Sequence, residues 1–97
     1  MNGLMLKDFK KNVKVNEAMH GGTRSILEFD NGYQASIIRH MFSYGGPEGL
    51  FELATMIDGK LVYDNPVADG DVRGYLTEEE VIELLNELKA LPSVKEG

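Results

Sequence analysis

Cysteine is absent from the chain, and with it go disulfides, thiolate metal sites and cysteine nucleophiles. A small secreted domain usually depends on covalent staples, so a chain of 97 residues with none is expected in a reducing compartment. Tryptophan is missing and only three prolines occur. Long apolar runs are missing too, so no segment reads as a membrane span. Met1-Asn2-Gly3-Leu4-Met5-Leu6-Lys7 reaches a charge after a short apolar stretch, too soon for a signal-peptide core. The expectation is a cytoplasmic protein without membrane attachment.

With 97 residues there is material for one core, residues 1–97 as a single domain. An apolar content of 42% is ordinary for a folded protein and argues against wholesale disorder. The net charge of −6 is unevenly spread. Lys7, Lys10, Lys11 and Lys14 stand against Asp8 alone in residues 1–15, a net of +3, which leaves −9 for the rest. An acidic body of this kind repels phosphate backbones, so the main domain is not expected to bind nucleic acid.

The plainest element is a helix over residues 77–91. Val81, Ile82, Leu84, Leu85, Leu88 and Leu91 recur at helical spacing, with Glu78, Glu79, Glu83, Asn86, Glu87 and Lys89 largely outside that stripe. Thr77 and Glu80 form a capping box, and Leu76 with Val81 the matching hydrophobic staple. Pro92 stops the helix. Burying the six apolar side chains contributes on the order of 9–18 kcal/mol before entropy is subtracted, so the stripe must pack on something.

Residues 24–64 supply the surface it packs on. Asp30-Asn31-Gly32 separates two strand-like runs. A three-residue loop with a left-handed Gly32 opposes Phe29 to Tyr33, Leu27 to Ala35 and Ser25 to Ile37. That register puts Leu27, Phe29, Tyr33, Ala35 and Ile37 on one face; a two-residue turn would mix polar and apolar side chains on both. The second strand is read as running through Ile38, His40, Phe42 and Tyr44 until Gly45-Gly46-Pro47-Glu48-Gly49 breaks it. A third strand over Leu50 to Ile57, an Asp58-Gly59 turn and a fourth strand at Leu61-Val62-Tyr63 follow, with Asn65-Pro66 ending the sheet. The expected fold is α+β: a four-stranded antiparallel meander with the C-terminal helix on one face. In the arm of residues 1–23, Leu6, Phe9 and Val13 fit a short helix, Val13-Lys14-Val15 equally fits an edge strand, and Met19-His20-Gly21-Gly22 reads as a loop.

The run Asn31-Gly32-Tyr33-Gln34-Ala35-Ser36-Ile37-Ile38-Arg39-His40, with Phe42-Ser43-Tyr44-Gly45-Gly46, Gly49-Leu50-Phe51-Glu52-Leu53-Ala54, Tyr63-Asp64-Asn65-Pro66 and Gly74 to Val81, resembles a group of small proteins encoded by tailed bacteriophages and prophages. The resemblance spans residues 29–91. It implies an accessory protein acting in the cytoplasm of a bacterial host, and it brings no catalytic residues with it.

Asp69-Gly70-Asp71-Val72-Arg73-Gly74-Tyr75-Leu76-Thr77-Glu78-Glu79-Glu80 has features of a twelve-residue calcium loop. Asp69 and Asp71 stand at positions 1 and 3, Gly74 at 6 and Glu80 at 12. Against this, Arg73 puts a cation at ligand position 5, and no entering helix precedes the loop. His20 and His40 are far apart in sequence and lack the spacing of a zinc site. Neither Ser36 nor Ser43 near His40 has a nucleophile-elbow context. The glycine-rich 45–49 stretch opens a strand and not a helix, so it reads as a turn, not a phosphate cradle.

With the helix on one face, Ile26, Ile38, Phe42 and Tyr44 project to the other. They need cover from the arm through Leu6 and Phe9, from a second copy or from a foreign partner. Two functional readings follow. The first is a non-enzymatic phage accessory protein that binds, and inhibits or redirects, a bacterial host or defence protein through Ile38, His40, Phe42 and Tyr44. The alternative is a small calcium- or ligand-binding protein using Asp69, Asp71 and Glu80. No other cofactor is expected.

Overall fold

In the computed structural model, residues 7–61 and 72–93 are described. The first tight return occurs where His20 and Gly21 both take positive φ (45° and 79°). They join β1 (Val13–Met19) to β2 (Gly22–Glu28) through the pair Met19–Gly22. Histidine is among the few side chains enriched in that left-handed region, so the stretch expected to be a loop is a two-residue hairpin turn.

The next return follows the expected register. The amide of Phe29 donates to the carbonyl of Tyr33 (2.9 Å), and that of Gly32 to the carbonyl of Phe29 (3.0 Å). Gly32 has a φ of 95°, where a β-carbon would be strained. In β3 (Tyr33–Arg39), Ala35 faces Leu27 and Ile37 faces Ser25. β3 pairs with β4 (Phe51–Ile57), which turns at Asp58-Gly59 into the short β5 (Lys60–Leu61). The expected strand residues Val62 and Tyr63, and the Asn65-Pro66 stop, lie outside the described residues.

The path β1-β2-β3-β4-β5 therefore holds five strands where four were expected. The difference is the arm, whose Val13-Lys14-Val15 belongs to an edge strand. A further short strand, β6 (Arg73–Leu76), lies off this path and pairs with the opposite end of β4 from β5, Phe51 facing Leu76. Ahead of β1, Lys7–Asn12 forms a 3-10 segment and not an α-helix.

α1 (Glu78–Lys89) begins as its sequence predicts. The Thr77 hydroxyl accepts from the Glu80 amide (3.2 Å), and the Glu80 carboxylate accepts from the Thr77 amide (2.8 Å). Val81, Leu84, Leu85 and Leu88 are buried against Leu27, Phe29, Ala35, Ile37, Phe51, Leu53 and Leu76. Phe9 joins them, fully buried and edge-on to Phe29 at 6.1 Å between ring centres. The arm thus reinforces the helix side through Phe9 instead of covering the other face; Leu6 lies outside the described residues.

A bulge at Lys14 changes which face β1 serves. Val13 sits opposite Leu27 on the helix side, whereas Val15 sits opposite Ile26 on the reverse. Across that reverse face run Val15, Ile26, Ser36 and Ala54 in register, with Ile38 and Met56 beside them. Ala54 and Met56 are buried; Val15, Ile26 and Ile38 are half-buried. No helix among the described residues is long and apolar enough to cross a membrane.

Candidate functional site

β3 ends at Arg39, not at Tyr44. The chain leaves the sheet because Ser43 closes a turn on His40. The Ser43 hydroxyl accepts from the His40 amide (2.9 Å) and donates to the His40 carbonyl (3.0 Å), and the Ser43 amide also donates to that carbonyl (3.2 Å). Ser43 is buried, so these bonds are shielded from competing water. A further 3-10 turn, Gly46–Glu48, follows before β4.

This turn redistributes the expected partner-binding residues. Ile38 stays on the reverse face of the sheet, half-buried opposite Arg24 and Glu52. His40 lies at the start of the turn. Phe42 and Tyr44 no longer alternate along a strand; they stand out from the end of the sheet. Met41, Phe42, Tyr44 and Tyr75 are 64%, 71%, 61% and 57% exposed. Tyr75 belongs to β6, yet its amide donates to the Tyr44 carbonyl (3.2 Å), which ties the two aromatic positions together. The Tyr44 amide in turn donates to the Glu52 carboxylate (2.9 Å). Tyr75 has a positive φ of 57°, an uncommon conformation for a bulky residue.

Two residues that sequence spacing kept apart meet here. The His20 and His40 rings lie 5.2 Å apart between centres, with Phe42 at 5.1 Å from His20 and 6.3 Å from His40. The Met41 amide donates to the His20 carbonyl (3.1 Å), holding the hairpin turn against the second turn. His40 Nδ1 accepts from the Phe42 amide (3.0 Å). A neutral imidazole accepting at Nδ1 carries its proton on Nε2, so the remaining ring nitrogen is a donor and not a metal ligand. The Ser43 hydroxyl is committed to the His40 backbone, not to its imidazole, so the pair lacks the nucleophile–base contact of a hydrolase. Only the tight Gly-rich returns at 21–22 and 45–46 hinted that positions 20 and 40 would share one end of the sheet.

Of the residues considered for calcium, Asp69 and Asp71 lie outside the described residues. Glu80 serves the helix cap, and two bonds from Thr77, first from its amide and then its hydroxyl, hold the Glu80 carboxyl below the usual carboxylate range. Arg73, Gly74 and Leu76, which would fill the middle of a calcium loop, lie in β6. Among the described residues no three His, Cys, Asp or Glu side chains converge on a point suited to a metal ion.

Comparison with models of protein families, with curated proteins and with solved structures returned no match.

Proposed function

We propose that this chain is a non-enzymatic interaction protein that binds a bacterial protein through the aromatic end of its sheet. The observation that carries the reading is the exposure of Met41, Phe42, Tyr44 and Tyr75 on adjoining backbone segments. Scattered exposed apolar residues are ordinary, but three aromatics and a methionine at one end of a sheet are the residue types that dominate interface energetics. The turn presenting them is held by the buried Ser43 and by Glu52, so less ordering entropy is lost on binding. The acidic composition disfavours a nucleic-acid partner and favours a protein with a basic rim. The resemblance to phage-encoded proteins supports action inside a bacterial host, where such a protein would inhibit or redirect its target.

The test is capture from bacterial lysate with the wild type and with Phe42→Ala and Tyr44→Ala. A stoichiometric bacterial partner is expected, with each substitution weakening its binding by at least about 1 kcal/mol. Both side chains are exposed, so the melting temperatures should stay close to that of the wild type. Recovery of the wild-type chain alone, or equal binding by all three proteins, would remove the proposal.

A further inference from the structure

The loop between β2 and β3 carries Asn31-Gly32, at the end of β3 away from the aromatic patch. An asparagine followed by glycine is the pair most prone to spontaneous deamidation, because glycine has no side chain to shield its amide nitrogen or restrict its backbone. Here both reacting groups are held. The Gly32 amide donates to the Phe29 carbonyl (3.0 Å). The Asn31 side chain is clamped at both polar atoms. Its Oδ1 accepts from the Tyr33 amide (3.0 Å), and its Nδ2 donates to the carbonyls of Leu88 (2.8 Å), Leu91 (3.0 Å) and Lys89 (3.3 Å). The clamp on Nδ2 thus comes wholly from the C-terminal end of α1, far away in the sequence.

We propose that Asn31 is a deamidation site gated by the end of α1, a modification that turns loss of the helix contact into a one-way change. Water is the only co-reactant. The Gly32 nitrogen gives up its proton and attacks Cγ of Asn31; the new N–Cγ bond forms as the Cγ–Nδ2 bond breaks, and ammonia leaves. Water then opens the resulting ring at either carbonyl, leaving aspartate or isoaspartate. For that attack the side-chain amide must turn out of its clamp and the Gly32 amide must release Phe29, so the reaction waits on local opening of the helix end. Closure afterwards is impaired. A carboxylate is acceptor-only and has no donor to return to the Leu88, Lys89 and Leu91 carbonyls. It also sets a negative charge against the negative end of the helix dipole. The proposal does not depend on the aromatic surface binding a protein.

The experiment incubates the whole chain at neutral pH, with and without denaturing urea, and follows the amide-to-acid mass change in the tryptic peptide Ser25–Arg39. Asn31 is the only asparagine in that peptide, and the second Asn-Gly pair, Asn2-Gly3, falls outside it. The folded chain should react about tenfold or more slowly than the unfolded one. Leu91→Ala trims a half-buried side chain packed on the core beside the clamp, and should speed the reaction of the folded chain several-fold. Leu91→Val carries the same test if the alanine variant does not fold. Asn31→Asp, one of the two products, should melt below wild type at neutral pH and regain part of the difference in acid, where the protonated carboxyl can donate again. Equal rates in the folded and unfolded chain, or no acceleration in the folded Leu91 variants, would overturn the gating. An Asn31→Asp chain as stable as wild type at neutral pH would overturn the one-way change.

Discussion

Asn31 does two jobs with one amide group. Its Oδ1 accepts from the Tyr33 amide (3.0 Å) inside the hairpin loop, while its Nδ2 donates to the carbonyls of Leu88 (2.8 Å) and Leu91 (3.0 Å) at the end of α1. Terminal helix carbonyls have no intrahelical donor, so a side chain from the sheet closes the helix in place of water. Asn31→Ala should cost about 1–3 kcal/mol in urea denaturation, more than expected for an ordinary turn residue. Thr55 is the opposite case: its side chain is buried in the sheet and its hydroxyl finds no hydrogen-bond partner among the described residues. Thr55→Val keeps the shape, removes an unsatisfied polar group and should raise stability by about 1 kcal/mol in the same measurement. Glu80 adds a pH dependence. Because its carboxyl is held below the usual range, its share of the helix cap is complete at neutral pH and is lost as pH falls through its folded value. Wild type should therefore melt above Glu80→Gln at neutral pH, with the gap closing in acid.

Among the elements, the end of β3 is the one whose position differs most from expectation. Hydrophobic alternation over residues 37–44 continues as if the strand did, because alternation records which side chains are apolar, not which amides are paired. Pairing stops because the His40 amide bonds to the Ser43 hydroxyl and the Met41 amide bonds back to the first hairpin turn. That second contact requires β2 and β3 to approach closely at Gly22. Gly22→Ala would drive a methyl into the Arg39 carbonyl, a backbone atom that cannot swing aside. It should cost about 1–3 kcal/mol in thermal or chemical denaturation and separate the two turns. By contrast, the Gly32 loop and α1 follow their local signals closely. Facial consistency selected the hairpin register, and the capping box and staple marked the helix start.

At the scale of the molecule, stability rests on a helix and a 3-10 segment sharing one face of the sheet. Phe9, from the 3-10 segment, is fully buried, edge-on to Phe29 and beneath the Lys89 ammonium of α1 at 5.8 Å. Phe9→Ala should cost about 3–5 kcal/mol. Domains of this kind typically hold about 5–15 kcal/mol in total, so equilibrium unfolding should show a variant close to the edge of folding. The exposed aromatic patch contributes little to this core. Binding and stability should therefore respond to different substitutions.

The chain alone determined what depends on near neighbours. The helix over its leucine stripe, the bulged loop at Gly32, the Asp58-Gly59 turn and the α+β character all arise from patterns a few residues long. Tertiary structure decided what depends on distant groups meeting: β6 on the edge of β4, Phe9 on the helix side, Asn31 on the end of α1, and His20 beside His40. No local periodicity encodes those contacts. Each becomes favourable only once the sheet has brought together backbone groups and rings from separate parts of the chain.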